Sequence, residues 1–366
     1  MRRRDLLTGL GAGAVATGLA GCSETDCGDG ATQQSHQSFN WKMVTTWPPK
    51  FPMLGTGALY LADIIEQMSG GRLKIKVYAA GELVPAFEVF DAVSDGTAEI
   101  GHAASYYWKG KSQAAQLFSA VPFGMNAQEM NAWIMHGDGL ELWQEVYAPF
   151  NIIPAPVGNS GVQMGGWFNR EINSVDDLRG LKMRIPGLGA EVLRRAGGTP
   201  VSMPGSEIFT SLQTGAIDAT EFVGPANDLA FGFHQVAKYY YYPGWHEPTA
   251  LLEGLINRDA FNALPRDLQV IVLRACDAAS QNMLADYTAS NQRALSTLVN
   301  EHGVELRPFP ADVLDRLRTL TDEILDETAA DDPLFARVLD NYREFKRDVS
   351  AWHDVSENVV YQRLRG

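Results

Sequence analysis

The chain has 366 residues and a mass of 40.1 kDa, a length that is typical of about two domains. Its content of 45% apolar and 20% charged residues is ordinary for globular proteins and excludes a disordered or collagen-like chain. Forty-four acidic against 30 basic residues give a net charge of −14 and a pI near 4.9. This acidity excludes nucleic acid as a partner and disfavours contact of the folded body with anionic lipid.

The first residues have the pattern of an export signal. Arginines at positions 2–4 precede an apolar run over 6–20. The paired arginines resemble a twin-arginine signal, and Leu19-Ala-Gly-Cys22 resembles the cleavage box of a bacterial lipoprotein. We therefore predict a signal peptide that ends before Cys22, which then carries lipid. An uncleaved membrane anchor is disfavoured because the run is shorter than the roughly 20 residues that a span needs.

The three cysteines are too few for a disulfide scaffold or a four-cysteine zinc site. Cys27 lies in a polar tether that follows the signal, and no role follows from its surroundings. Cys276 lies in an apolar helical pattern, which predicts a buried structural thiol.

From residue 40 onward, short apolar runs alternate with amphipathic stretches, which predicts an α/β fold. The predicted strands of the first block are 42–46, 73–78, 98–102 and 152–157, and its predicted helices are 59–68, 87–93 and 127–147. Gly137 and Gly139 interrupt the last helix. Pro154 and Pro156 confine the last strand to a sheet edge, because proline cannot donate to the ladder.

The same rhythm restarts after Gly158. The predicted strands of this second block are 162–168, 181–185, 217–222, 236–242 and 251–256, and its predicted helices are 190–196 and 206–214. Two such blocks predict two similar lobes with a crevice between them, and ligands of open α/β sheets bind in such a crevice.

The rest of the chain is predicted to be helical. A helix over 266–301 would be about 50 Å long at roughly 1.5 Å per residue, so it would bridge both lobes or reach a partner chain. The charged segment 312–364 is predicted to be helical, with Trp352 and Tyr361 as apolar anchors.

Catalytic motifs are missing from the sequence. The seven histidines form no HExxH pair, no phosphate-binding GxxxxGK[ST] is present, and Gly158-Asn-Ser-Gly161 lacks the spacing of a GxSxG elbow. The acidic pairs at 91/95 and 176/177 fall near helix ends, where capping explains them. An enzyme is disfavoured, although active sites also assemble from residues far apart in sequence.

The most informative motifs are GNSGVQMGGWF at 158–168, LKMRIPG at 181–187, PVSMP at 200–204, IFTSLQTGAID at 208–218 and ATEFVGP at 219–225. Trp47-Pro48, GELVP at 81–85, Tyr106-Tyr107 and YYYYPGWHEP at 239–248 add to them. Together they resemble the substrate-binding proteins of tripartite ATP-independent periplasmic (TRAP) transporters, over nearly all of the chain after the signal. The resemblance is greatest to the branch that binds 2-oxo and 2-hydroxy monocarboxylates, such as pyruvate and lactate, together with a metal cation.

This resemblance implies that Arg184 binds the carboxylate of the ligand. Arg184 lies near the end of a predicted strand, so its side chain can project into the crevice. A guanidinium offers two parallel N–H donors to a carboxylate and stays charged when it is desolvated. The alternative is a surface arginine at a turn, as is expected of Arg194 and Arg195 on their helix.

The resemblance also implies a cation. Glu221 matches a carboxylate that lines the same pocket as the anionic ligand, and two such charges about 4 Å apart repel by about 4 kcal/mol at an effective dielectric of about 20. A hard cation between them removes the conflict. The implied ligands of this sodium or calcium ion are the Gln163 amide, the Glu221 carboxylate, the main-chain carbonyl of Phe222 and Glu247. The alternative for Glu221 is a salt bridge to Arg184.

Further ligand contacts are implied for Asn159 through its amide, for Tyr107 through its phenol and for His246, alongside Gln163 and Phe222. Tyr106 or Trp108 is expected to point into the core, and Trp47 and Phe87 are expected to wall the pocket. Some relatives carry tryptophan at the position of Phe222, which leaves the size of the ligand open. Packing is the alternative for the aromatic residues, as is a satisfied loop histidine for His246.

The expected fold is a two-lobed α/β periplasmic binding protein of type II-like architecture, with a long lobe-bridging helix and a helical C-terminus. The expected segments are a signal peptide at 1–21, a lipidated polar tether at 22–38, lobe I at 39–158 with part of 243–290, lobe II at 159–242 with part of 291–330, and C-terminal helices at 331–366 as a candidate dimer contact.

The expected function is that of a periplasmic receptor that closes over a small carboxylate and delivers it to a TRAP membrane permease. The long helix also resembles the dimer-forming segment of keto-acid-binding relatives, which implies a homodimer. The membrane is reached only through the lipid anchor. An exported enzyme acting on a keto acid and a receptor for an ABC-type importer are the alternatives.

Overall fold

The computed structural model describes residues 37–365, so the predicted export signal, Cys22 and Cys27 lie outside the described residues. The strands are β1 (Phe39–Thr45), β2 (Leu73–Tyr78), β3 (Ile100–Ala103), β4 (Ile152–Asn159), β5 (Gly166–Phe168), β6 (Lys182–Arg184), β7 (Thr199–Val201), β8 (Ala219–Thr220), β9 (Tyr239–Tyr242), β10 (Leu251–Asn257) and β11 (Glu305–Pro308).

The α-helices are α1 (Leu54–Met68), α2 (Val89–Ser94), α3 (Ala127–His136), α4 (Gly139–Tyr147), α5 (Gly187–Arg195), α6 (Gly205–Gln213), α7 (Pro225–Phe231), α8 (Arg258–Asn262), α9 (Arg266–Asn300), α10 (Ala311–Asp331), α11 (Pro333–His353) and α12 (Glu357–Val359). Within the described part of the chain, no helix is long and apolar enough to cross a membrane.

The strands form two separate sheets, which confirms the predicted two-lobed architecture. The first sheet has the order β2-β1-β3-β10-β4, with β1 parallel to β2 and β3, and with β10 antiparallel to β3 and β4. Strand β4, which contains Pro154 and Pro156, lies at the edge as predicted. The second sheet has the order β11-β9-β5-β8-β6-β7. The chain therefore leaves the first sheet after β4, completes most of the second, and returns through β10.

Segment 162–165 is not the strand that the sequence predicts. Backbone amides of residues 163, 164 and 165 donate to the carbonyls of Glu247, Val223 and Tyr241, so consecutive residues bond to three different parts of the chain. The strand proper begins only at Gly166, whose φ of 114° is accessible to glycine but strained for other residues. This irregular crossing between the lobes places Gln163 beside the loop after β9.

Helix α9 bridges the two lobes, as its length predicts. Its 35 residues span about 52 Å at 1.5 Å per residue. Its buried face includes Cys276, confirmed as a buried thiol, and Met283 and Tyr287. The Tyr287 hydroxyl donates to Asn227 on α7 at 2.8 Å, while Asn227 donates to the carbonyl of Pro52 at 2.9 Å. The helix, the second lobe and the loop before α1 are thus tied together at one point.

The predicted anchors of the C-terminal segment are wrong. Trp352 and Tyr361 are 62% and 56% exposed. The buried stripe of α11 is formed instead by Phe335, Val338, Leu339 and Tyr342, which pack into the core of the first lobe. Helical spacing selects this stripe, and the two large aromatic residues fall outside it.

Each lobe buries one carboxyl group between a tryptophan and a tyrosine. In the first lobe, the Trp108 indole and the Tyr147 hydroxyl both donate to Glu253, which is fully buried. In the second lobe, Trp167 and Tyr240 donate to Asp228 at 3.0 and 2.6 Å. Burial raises the pKa of Glu253 to about 8 and that of Asp228 to about 7. The two hydrogen bonds to each carboxyl group act in the opposite direction and lower its pKa.

The raised pKa of Glu253 predicts a pH-dependent stability. Folding favours the protonated acid, so its contribution is complete below pH 4.5 and is lost as the pH rises through about 8. In Glu253→Gln this titration is absent. Since one pKa unit corresponds to about 1.4 kcal/mol, we expect the unfolding free energy of Glu253→Gln relative to wild type to increase by about 2 kcal/mol or more from pH 5 to pH 8. Urea unfolding at both pH values measures this change.

Glu207→Gln, at an exposed position on α6, is the matched control and should give the same difference from wild type at both pH values. If the difference in unfolding free energy between Glu253→Gln and wild type were also the same at both pH values, the carboxyl group would titrate in the folded protein as it does in the unfolded chain.

Candidate ligand and cation site

The register of two parallel strands brings Arg184 and Glu221 together. Strand β6 ends at Arg184, which pairs with Thr220 of β8, and Glu221 follows directly. The backbone amide of Glu221 donates to the carbonyl of Arg184 at 3.2 Å. Both side chains therefore leave the carboxyl ends of neighbouring strands, where ligands of such sheets bind.

Arg184 is 1% exposed, which excludes the alternative of a surface arginine at a turn. Its Nη1 forms an ion pair with the Glu221 carboxylate and donates to the Glu221 carbonyl at 3.1 Å, and its Nε donates to the carbonyl of Met203 at 3.3 Å. Burial acts to lower the pKa of Arg184, but the charges of Glu221, Tyr107, Tyr106 and Glu247 together raise it, so the guanidinium stays charged. The salt bridge that the sequence analysis kept as an alternative for Glu221 is present.

One edge of the guanidinium remains available. Within residues 37–365, Nη2 of Arg184 makes no hydrogen bond, while the other nitrogens are occupied as described. Arg184 also lines an internal cavity. A buried positive group with a free donor edge beside a cavity is suited to bind a carboxylate.

Three buried side chains form an acidic cluster next to this arginine. Ligand atoms of Glu221, His246 and Glu247 lie within 4.8 Å of one another, and His246 Nε2 is 3.3 Å from Glu221 Oε2. Burial, followed by the charge of Glu221, raises the pKa of Glu247 well above its ordinary value, although Arg184 opposes this. Two carboxyl groups so close in a dry environment cannot both ionise without a compensating positive charge.

The oxygens of this cluster fit a hard cation. Oε2 of Glu247 and Oε1 of Gln163 are buried, and neither has a hydrogen-bond partner in the described part of the chain. Orphaned buried acceptors are costly unless something satisfies them. Carboxylate and amide oxygens are the donors that sodium and calcium prefer. The two orphaned atoms belong to residues that the sequence analysis assigned to the cation.

The cavity beside Arg184 is small and has a largely apolar wall. Its lining consists of Trp47, Leu54, Tyr106, Tyr107, Ser160, Gln163, Arg184, Phe222, Val223, Ala250 and Leu252. The cavity has a volume of about 10 Å³, which is enough for about one water molecule.

The predicted site residues divide between this cavity and its surroundings. Arg184, Gln163, Tyr107, Phe222 and Trp47 line the cavity. Behind this wall lie Glu221, His246 and Glu247, which are buried but do not line it, and Phe87, which is 37% exposed and packs on Tyr107 at a centroid distance of 5.0 Å.

Asn159 does not line the cavity, because neighbouring groups already use its amide. Its Nδ2 donates to Asn131 at 3.0 Å, and its Oδ1 accepts from the Gly161 amide at 2.9 Å and from the Thr249 hydroxyl at 2.6 Å. This bonding fixes the turn that carries Ser160. Ser160, which does line the cavity, was missed by the sequence analysis, although it stands within the quoted motif next to Asn159.

Tyr106 and Tyr107 lie in the 3₁₀-helix Ser105–Trp108, not in an extended segment. In this geometry Tyr106 and Tyr107 both line the cavity, whereas Trp108 turns into the first lobe. Burial raises the pKa of Tyr107, so its phenol stays protonated and able to donate a hydrogen bond. Strand alternation led to the expectation that Tyr106 or Trp108 points into the core, and Trp108 does so.

Phe222 connects the cavity to contacts between the lobes. Its ring packs edge-to-face on Phe51 of the first lobe at 5.9 Å and on Phe231 at 4.8 Å, and the Arg184 guanidinium lies 5.4 Å from its centroid. Phe51 stacks on Phe231 at 4.2 Å. The same aromatic side chain therefore forms the cavity wall and contacts the opposing lobe.

Comparison with known proteins agrees with this geometry. The family of bacterial extracellular solute-binding proteins, family 7 (DctP), matches residues 43–332. This chain belongs to that family. Its members are substrate-binding receptors of TRAP transporters in the periplasm, not enzymes, which confirms the resemblance found in the sequence.

A similar curated relative is the monocarboxylate 2-oxoacid-binding periplasmic protein of Nostoc sp., which is 42% identical over 98% of this chain and 97% of its own length. A TRAP periplasmic solute-binding protein from Pseudoalteromonas atlantica T6c, solved with bound sodium and pyruvate, is 41% identical and superposes with a TM-score of 0.87, covering 89% of this chain and 99% of that chain.

A TRAP transporter solute-binding protein from Bordetella bronchiseptica RB50 is 38% identical, with a TM-score of 0.87 over 88% of this chain and 96% of that chain. It is described as a mixed-occupancy dimer with copurified calcium and picolinate in one active site and an apo second site. Similarity of this degree establishes the two-lobed periplasmic binding protein fold for this DctP-family receptor.

Proposed function

We propose that this DctP-family receptor binds a small 2-oxo or 2-hydroxy monocarboxylate, such as pyruvate or lactate, together with sodium or calcium, and delivers it to the TRAP membrane permease. The single observation that carries the proposal is the free donor edge of the buried Arg184, which borders a small cavity next to two orphaned oxygens. The relatives solved with pyruvate and sodium, and with picolinate and calcium, support the same class of ligand.

Charge balance explains why anion and cation bind together. The Arg184–Glu221 pair is already neutral, so an entering carboxylate adds one uncompensated negative charge to a buried site. Glu247 adds a second when it ionises. A cation cancels this charge, and exclusion of water by lobe closure strengthens each contact.

We assign the residues to two roles. Arg184 holds the carboxylate of the ligand, and the protonated phenol of Tyr107 donates to it. The Gln163 amide, the carboxylates of Glu221 and Glu247, and the main-chain carbonyl of Phe222 hold the cation.

The remaining predicted residues position these groups. His246 orients Glu221 through their 3.3 Å contact, and Asn159 orients the turn with Ser160. The apolar wall formed by Leu54, Val223, Ala250 and Leu252 faces the alkyl end of the ligand, which favours a short chain.

Replacing Arg184 tests the carboxylate site. Arg184→Ala removes the charge and the free Nη2 donor, and we expect at least a 100-fold loss of affinity for pyruvate, measured by titration calorimetry with calcium present. Arg184→Lys keeps the charge but not the planar guanidinium, so we expect an intermediate affinity and an intact fold. Arg195→Ala, on the exposed face of α5, is the control and should bind like wild type. Near-wild-type affinity of both Arg184 variants would refute the assignment.

Removing the cation tests the second half of the site. After chelation and exchange into sodium-free buffer, we expect the affinity for pyruvate to fall more than tenfold and to recover when calcium or sodium is added, because the anion then lacks its compensating charge. In Gln163→Ala and Glu247→Gln, a higher cation concentration should be required, whereas Glu207→Gln should match wild type. If pyruvate bound equally well without cations, the Arg184–Glu221 pair alone would be sufficient for binding, and the cation site would be refuted.

The export and anchoring of the chain are part of the proposal. A twin-arginine-like signal at 1–21 is cleaved before Cys22, and lipid on Cys22 tethers the receptor to the membrane through residues 22–38. Leu19-Ala-Gly-Cys22 supports this assignment. We expect Cys22→Ser to move the protein from the membrane fraction to the soluble fraction on immunoblots of fractionated cells. A wild-type protein that already fractionates as soluble would argue against the anchor.

We also propose a homodimer and the lobe boundaries given by the sequence, at 39–158 with part of 243–290 and at 159–242 with part of 291–330. The dimer described for the Bordetella relative supports the former. The membership of β1 to β4 and β10 in one sheet and of β5 to β9 and β11 in the other supports the latter. Light scattering of the purified receptor distinguishes a dimer from a monomer.

A further inference from the structure

A second pocket lies directly outside the cavity wall, at the seam between the lobes. Tyr106 and Tyr107 belong to the walls of both spaces and therefore lie between the outer pocket and the cavity. The outer pocket has a volume of about 100 Å³. The other residues that matter here are Lys109 from the first lobe and Pro186, Arg194 and Ser202 from the second.

The close approach of the lobes at this seam depends on a glycine. Gly187, the first residue of α5, has a φ of 61°, and a Cβ atom added to it would lie 3.1 Å from Cβ of Tyr106. The second lobe therefore packs directly against the tyrosine pair. Residues of both lobes therefore form the outer pocket.

Two cations face this pocket from opposite lobes. Lys109 is partly buried and has no ion-pair partner within residues 37–365. Arg194 lies on α5, where its only ion pair in the described chain is an exposed one with Glu191 of the same helix. Burial and the charge of Arg194 both lower the pKa of Lys109, as expected for like charges held close together. In a chain of net charge −14, a pocket with this balance is locally attractive to anions.

The arrangement also affects closure. Bringing Lys109 and Arg194 towards each other costs electrostatic energy that a small anion between them offsets. An anion held there is separated by the tyrosine pair from the guanidinium of Arg184, which is the stronger and better buried site. With the cation that the proposed function places beside Glu221 and Glu247, the negative charge of the inner site is compensated, so an anion can pass from the outer pocket to Arg184.

We propose that the outer pocket is an entry site for small carboxylate anions, in which Lys109 and Arg194 capture the ligand from solution before it passes the tyrosine pair to Arg184. Capture raises the association rate and leaves the affinity of the cavity itself unchanged, because the final contacts are made elsewhere. The inference depends on the proposed function for the identity of the anion, a 2-oxo or 2-hydroxy monocarboxylate.

Stopped-flow mixing with pyruvate, followed by the intrinsic tryptophan fluorescence of the calcium-loaded receptor, tests the proposal. In Lys109→Gln we expect the association rate constant to fall about threefold at low ionic strength. Because the affinity is unchanged, the dissociation rate constant should fall by the same factor. Arg194→Gln should show the same direction, and the double variant a fall of about tenfold. In about 1 M salt, where the Debye length is roughly 3 Å, the variants and wild type should associate at equal rates.

Lys111→Gln is the matched control. It removes the same charge two residues away, but Lys111 pairs with Asp91 and does not line the pocket, so its association rate should equal that of wild type. Equal rates for Lys109→Gln and wild type at low salt would overturn the entry site, as would equal slowing in Lys111→Gln, which would indicate a general charge effect. Absence of pyruvate binding by wild type is a different result, and it would refute the proposed function itself.

Discussion

The site depends on one buried ion pair, between Arg184 at the end of β6 and Glu221 after β8. Charges this deeply buried are stable only when they are paired and hydrogen-bonded, and the pair leaves one edge of the guanidinium for a ligand. Because the pair is neutral by itself, an anionic ligand brings an excess of negative charge. Glu247 and Gln163, whose outer oxygens are unsatisfied, lie where a cation would restore the balance. The proposed binding of a small acid together with a cation thus follows from electrostatics in a buried site.

The two lobes contribute different kinds of residues to this site. The second lobe supplies Arg184, Glu221 and Phe222 from strand ends, and the first lobe supplies Trp47 and the tyrosine pair. Phe222 contacts the cavity on one side and Phe51 of the opposing lobe on another, so closure and the shape of the cavity involve the same ring. Tyr287 of helix α9 donates to Asn227 of the second lobe, and Asn227 donates to Pro52 of the first, so these three segments are linked at one point.

Sequence reasoning failed in places where a side chain's environment comes from distant segments. Asn159 was assigned to the ligand, and this stays a prediction; the sequence did not indicate that Asn131 and Thr249, 28 and 90 residues away in the chain, bond to its amide. Tyr106 or Trp108 was expected in the core, and Trp108 lies there, but a 3₁₀-helix occurs where a strand was assumed, so Tyr106 lines the cavity together with Tyr107. Trp352 was expected to anchor the C-terminal helix, but the register of α11 buries Phe335 and Tyr342 instead. Periodicity predicts that one face of a helix is buried; which residues occupy that face depends on the partner surface.

Patterns in the amino-acid sequence correctly predict the class of fold, the edge position of β4 and the extent of α9, and motifs shared with the TRAP receptors lead to the proposal that Arg184, Glu221, Gln163 and Glu247 form the site. These properties are local or are carried by short motifs, since proline, glycine and hydrophobic spacing act within a few residues. Only the tertiary structure decided that Arg184 and Glu221 are paired, that the cavity is so small, and that Lys109 and Arg194 face each other across the lobes. Such distances depend on strand register and lobe packing, which sum many weak long-range contacts that no local pattern encodes.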